Sequence, residues 1–177
     1  LAGIKSVEES LKRTGKDATI NPIRNLPGCY RVSYALQPSA KISVVIPLKV
    51  NIQPDTDAIV RVIQSCRASI AEINIVSEYA LDHATRNSLE QLSDSFHVPI
   101  KYWAKETPLV GSVNDAIKTA TGDFILLLAN GCAPEEEGAF LRLAATAQFA
   151  GVVGSRIISK DDYLISAGIR IAPSGNI

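Results

Sequence analysis

The sequence has no methionine, one tryptophan and three widely spaced cysteines, and its 18 basic and 18 acidic residues cancel. Each shortage excludes something. Without an excess of either charge there is no global field to steer the chain toward nucleic acid or an anionic membrane, so a ligand must be recognised locally. Cys29, Cys66 and Cys132 are odd in number and lack the paired spacing of a zinc site, which fits reduced thiols in the cytoplasm. The longest apolar runs are strand-sized, such as Ile42 to Leu48 with Ser43 and Pro47 interrupting, and none suffices to span a bilayer. Leu1 to Lys12 has neither the basic start nor the apolar block of a signal peptide. The missing methionine and the start at Leu1 lead us to expect a piece of a longer polypeptide.

What is present suffices for one sizeable core, at 177 residues and 46% hydrophobic content. Residues 1–40 read as an N-terminal extension packed on the main domain. Val7 and Leu11 mark a short helix ended by Gly15. Asn21-Pro22, Leu26-Pro27-Gly28 and Gln37-Pro38 then break the chain, and Cys29 to Leu36 alternates as a strand. From Lys41 onward strand and helix signals alternate. The expected strands are Ile42 to Pro47, Ile73 to Ser77, Ile100 to Ala104, Phe124 to Leu128 and Gly151 to Ile158. Between them run helices carrying Ala58 to Ile70, Leu89 to Phe96, a stretch opened by a Ser112/Asp115 capping box, and one begun by Pro134. Strands without polar alternation, joined by helices, imply an open, mostly parallel α/β sheet with helices on both faces.

Such a sheet binds ligands at the carboxyl ends of its strands. The residues there are Pro47 to Asn51, Ser77 to Asp82, Gly111 to Asn114 and Ala129 to Cys132. No Gly-rich phosphate loop, helical His pair or nucleophile with an adjacent base stands among them. Glu135, Glu136 and Glu137 read as first-turn carboxylates that favour a helix dipole rather than as metal ligands. His83 and His97 read as surface residues, Asp161-Asp162 as a hairpin turn, and Tyr102 and Trp103 as strand-edge packing, with stacking on a base or sugar as the alternative.

The order "KISVVIP", "AEINIVS", "VNDAIKTATGDFILLL", "CAPEEEGAFLRL" and "GVVGSRIISKDDYLISAGIRI" resembles the nucleotide-binding half of family 2 glycosyltransferases with the GT-A fold. It lies nearest to the large bacterial enzymes of O-antigen and other surface-polysaccharide assembly. The resemblance implies that residues 41–177 are the nucleotide-binding part of such a domain, cut before the acceptor half. It also implies sugar transfer from a nucleotide-diphosphate donor, a magnesium or manganese ion in active relatives, and a catalytic base beyond Ile177.

At the family's key positions this sequence differs. The base-binding Asp falls on Ser77, with Glu78 and Asp82 nearby. An Arg falls on Val113, beside a retained Asn114. The metal motif falls on Ala129-Asn130-Gly131, so its last carboxylate becomes Gly131. A Gln-His pair falls on Ile165-Ser166. The donor-side candidates are therefore Pro47, Lys49, Asn51, Ser77, Glu78, Asn114 and Asn130, with no metal held by this chain and Lys49 as a substitute counter-charge for the diphosphate. The expected partners are a nucleotide-sugar, a glycan acceptor and the rest of a larger polypeptide, without nucleic acid or a membrane span. The expected place is the cytoplasm or the inner face of the membrane. A non-catalytic GT-A scaffold or glycan-binding module is the alternative, and a nucleotidyltransferase a more distant one.

Overall fold

The computed structural model describes residues 2–104 and 108–167. In chain order its elements are α1 (Ala2–Arg13), β1 (Ala18–Pro22), β2 (Tyr30–Tyr34), β3 (Ile42–Leu48), α2 (Thr56–Cys66), β4 (Ile70–Ser77), α3 (His83–Phe96), β5 (Ile100–Ala104), α4 (Leu109–Lys118), β6 (Phe124–Leu127), α5 (Ala139–Ala150), β7 (Ile157–Ile158) and β8 (Leu164–Ser166). They divide into two compact units, Leu36–Leu141 and a second that joins Leu1–Ala35 to the chain from Arg142 on.

The first unit is built on a four-stranded parallel sheet of order β5-β4-β3-β6. All of β3 except Pro47 is buried, as a strand covered on both faces must be. On one face Val45 and Val76 pack with Ala116 of α4, and Trp103, Leu109, Val113 and Ile117 close around them. The other face carries Val44, Ile46, Leu48, Ile73 and Ile75, all buried. The apolar stripe of α2, from Ala58 and Ile59 through Val62 and Ile63 to Cys66, is equally buried. Burying an aliphatic side chain contributes about 1.5–3 kcal/mol, so these two layers supply most of the cohesion. The sheet matches the predicted open parallel α/β architecture.

Several boundaries differ from the sequence reading. Ile70 belongs to β4: α2 stops at Cys66, a single 3-10 turn follows, and an extra residue at Ala71 bulges the start of the strand against β3. The helix expected at Pro134 begins at Ala139, because Gly138 stands at φ +71° and cannot continue a right-handed helix. Glu135 to Glu137 therefore lie in bends and a turn, outside any first helical turn. Ser112 is a buried residue inside α4 rather than its cap. The parallel sheet has no fifth strand among the described residues. Only Ile157–Ile158 of the stretch from Gly151 forms a ladder, antiparallel to Leu164–Ser166 across the Asp161-Asp162 turn, with Asp162 at φ +63°.

The second unit contains an unforeseen strand. Ala18–Pro22 pairs antiparallel with Tyr30–Tyr34, and Pro22 sits at its last position, where a missing N–H is tolerated. The end of α5 joins this hairpin. Phe149 packs on Tyr34 with ring centroids 4.7 Å apart, the Lys16 ammonium stands 4.9 Å from the Phe149 ring centre, and Gln148 Nε2 donates to Ala35 O at 3.1 Å.

Candidate functional site at the carboxyl ends of the strands

After β3 the chain turns sharply, with Ile52 N–H donating to Lys49 O at 3.2 Å and Asn51 at φ +59°. Asparagine is among the few residues that adopt this left-handed conformation at low cost. Lys49, Val50, Asn51 and Ile52 are exposed. Further on, Gln53 reaches the start of α3. Its Nε2 donates to Asp82 Oδ2 at 3.3 Å, and its Oε1 accepts from Thr85 Oγ1 at 3.1 Å. Asp82 caps α3 by accepting the Thr85 N–H at 2.7 Å, and that bond is the main cause holding its carboxyl below the usual range.

At the end of β4, Ser77 is buried and its Oγ accepts the Tyr79 N–H at 3.1 Å. Glu78 is half-buried and points to the start of α4, where Oε1 accepts the Leu109 N–H at 2.7 Å. This contact satisfies one of the free amides of that helix end, a task the sequence had assigned to Ser112. Tyr102 fastens the same loop from β5: its hydroxyl donates to Tyr79 O and accepts the Leu81 N–H.

At the end of β6, residues Ala129 to Cys132 close a tight turn through Cys132 N–H to Ala129 O, at 3.0 Å. Gly131 stands at its third position at φ +79°, a geometry that favours glycine. The Asn130 carboxamide lies across the β3–α2 loop: Oδ1 accepts the Asp55 N–H and Nδ2 donates to Gln53 O, both at 2.9 Å. Asp55 in turn caps α2, its Oδ1 accepting the Ala58 N–H at 2.9 Å.

The predicted residues thus fall into two groups. Ser77, Glu78 and Asn130 make hydrogen bonds to backbone, Glu78 at the start of α4 and the other two in loops. Lys49, Asn51 and Asn114 are exposed, and the Lys49 ammonium has no ion pair among the described residues. Pro47 stays inside β3, opposite Val76. Val113, where the family's Arg was expected, packs on the core, and Ile165-Ser166 lie in β8 of the second unit. Sequence reasoning missed Gln53, Asp55 and Tyr102 as organisers of this end. Of these, Pro54-Asp55-Thr56 before a helical apolar pattern carried a readable cap signal.

A divalent cation of the hard kind wants charged oxygen ligands. The turn after β6 offers an amide already bonded at both ends and a residue without a side chain. No group of three His, Cys, Asp or Glu among the described residues could hold a metal ion. The residues present do not fit one.

No family's sequence model matches the chain. It is 25% identical over 176 residues, 98% of its length, to the O-antigen biosynthesis protein RfbC of Myxococcus xanthus, of which it spans 14%. Among solved structures it is similar to a mannosyltransferase from Pyrobaculum calidifontis in complex with GDP-Man and Mn2+, with a TM-score of 0.51 and 10% identity, covering 82% of this chain and 40% of that one. The chain shares its fold with a glycosyltransferase and a low sequence likeness with a protein of O-antigen biosynthesis, the two resemblances that its motifs carried.

Proposed function

We propose that this chain is the donor-side portion of a family 2 glycosyltransferase-like domain from bacterial surface-polysaccharide synthesis, with little or no transfer activity by itself. One observation carries this reading: a parallel sheet shared with a mannosyltransferase occurs in a chain whose whole length resembles an O-antigen biosynthesis protein. In the proposal a nucleotide-diphosphate sugar lies over the carboxyl ends of β3, β4 and β6, and the Lys49 ammonium neutralises phosphate charge as a point contact. The general base and the acceptor half come from other parts of a larger polypeptide, which works in the cytoplasm or at the inner membrane face. The metal motif is degenerate at Gly131, and no step is assigned to a cation.

The second reading, a non-catalytic scaffold, draws on a specific observation as well. Glu78 and Asn130, two residues at donor positions, are hydrogen-bonded to the domain's own backbone. Titration with UDP, GDP and dTDP, with and without manganese, followed by NMR shifts, separates the two. Binding that needs no metal and weakens severalfold in Lys49→Ala supports the donor-side reading. Absence of binding to all three nucleotides supports the scaffold, and strictly manganese-dependent binding contradicts the degenerate motif.

A further inference from the structure

The parallel sheet ends differently on its two sides. At one edge β5 exposes the charged Lys101 and the small Ala104, while its large apolar residues are half-buried. A charge on an outer strand discourages further pairing. At the other edge β6 exposes Ile125 and Leu127, 39% and 58%, and no charged residue stands between Asp123 and Glu135. Ile125 and Leu127 lie opposite Ser43 and Val45 in the ladder, on the face where Ala116 of α4 packs over Val45 and Val76. That helix covers β3 and leaves its neighbour largely bare. The outer backbone of β6 is bare too. Phe124 N–H donates to Lys41 O at 3.1 Å and Leu128 N–H to Val45 O at 2.9 Å. Alternation along the strand therefore turns the polar backbone groups of Ile125 and Leu127 away from β3, to a side where no strand pairs among the described residues.

We infer that the outer edge of β6 docks one more β-strand, supplied by a part of the larger polypeptide outside these 177 residues and carrying apolar side chains on the face of Ile125 and Leu127, an inference that rests on the larger polypeptide proposed for this chain. Two observations select that occupant. The chain covers 40% of the mannosyltransferase whose fold it shares and 14% of RfbC, so both relatives have further chain to supply such a strand. The exposed edge is also short. Its four residues span about 13 Å, too little for the interface of about 1,200 Å² that holds free partners together. A strand tethered to the same polypeptide meets the edge at an effective concentration on the order of millimolar, so it can use an edge that a second copy cannot.

Hydrogen exchange, resolved at single amides by mass spectrometry, tests this in the 177-residue chain and in the longer polypeptide that contains it. In the chain alone the Ile125 and Leu127 amides should exchange freely at every concentration while Leu126 stays protected. In the longer polypeptide both should slow by on the order of a hundredfold. Leu127→Lys should lose most of that protection, yet leave the urea midpoint of the chain alone unchanged, because the side chain is exposed there. Free exchange in both forms overturns the inference, and so does protection in the longer polypeptide that Leu127→Lys leaves intact. Protection in the chain alone overturns it as well: if it fades on dilution the edge belongs to a second copy, and if it persists the edge is already paired. Nucleotide titration reads a separate property. Absence of nucleotide binding with the edge protected sinks the donor-side reading alone, and nucleotide binding with the edge unprotected in the longer polypeptide sinks this inference alone.

Discussion

The two ends of the parallel sheet use polar groups for the same purpose with very different force. At the amino end, Glu72 is 2% exposed and sits directly opposite Ser43 in the ladder. It pairs with the half-exposed Lys101 ammonium and accepts from Ser43 Oγ at 3.0 Å, Thr121 N–H at 2.8 Å and Thr121 Oγ1 at 3.1 Å. Gly122 N–H donates to Ser43 Oγ at 2.9 Å, and the Lys41 N–H donates to Asp123 Oδ2 at 2.9 Å. The Thr-Gly-Asp of the family-like stretch is therefore a pin that locks the approach to β6 onto β3 and β4. At the carboxyl end the fasteners, the buried Ser77 apart, are half-buried or exposed, and they hold loops or the start of a helix. A buried charged pin is costly to break, whereas a loop clip can be lost piecemeal. The contrast teaches that this domain's best-defined motif secures the frame, while the end where a ligand would lie is held by weaker, local bonds.

The comparison breaks most sharply at Gly122. A Cβ there would meet Ser43 N at 2.6 Å and the Ile42 carbonyl carbon at 2.9 Å, both backbone atoms that cannot swing aside. Gly122→Ala should cost about 3 kcal/mol or abolish folding. Urea unfolding followed by Trp103 fluorescence checks this, since that indole packs on the core and donates to Asn74 Oδ1.

Glu72 comes next. Burial alone would raise its carboxyl, but the hydrogen bonds from Lys101, Thr121 and Ser43 more than offset that and hold it at about 2, against an ordinary 4.5. A depressed folded value means that the group's stabilisation is complete above pH 4.5 and is lost as pH falls toward 2. The full difference corresponds to on the order of 3 kcal/mol, reduced by solvent screening of the half-exposed Lys101. Glu72→Gln should lower the urea midpoint at pH 7 and flatten its decline across that acid range. An unchanged decline would refute the pin.

The smallest of the three effects belongs to the carboxyl end. Asn130→Ala removes two hydrogen bonds to backbone and should cost about 1–2 kcal/mol. It should also speed hydrogen exchange at the Asp55 amide while leaving amides of β3 protected. If β3 amides open equally, the clip is part of the frame and the contrast between the two ends fails.

These differences also explain what was legible beforehand. The core strands could be read because buried parallel strands are continuous apolar runs, α2 because its buried residues recur at helical spacing, and α3 because the buried Leu89 is followed at that spacing by the half-buried Leu92 and Phe96. Ile70 was misread because it continues the helical spacing of α2 although the chain has already turned. The pin was missed because Glu72 lies in the part of β4 that the reading began too late to include, and a charged residue in a strand announces no partner. The candidate site was read by position alone, as the residues that follow the strands, Ser77, Glu78 and Asn130 among them. What those side chains do depends on where loops from other strands pass, and loop paths leave no periodic signal in sequence.

Asn130 and Gly131 also form the dipeptide in which a side-chain amide most readily cyclises onto the next backbone nitrogen and emerges as an acid. The hydrogen bonds to Gln53 and Asp55 hold the carboxamide and restrain it from that attack, so the clip slows its own chemical ageing. Once it yields, an oxygen replaces the amide donor opposite Gln53 O and the loop is released. The wear of a stored sample, read by peptide mass spectrometry, should begin at this turn and accelerate in any variant that loosens the loop.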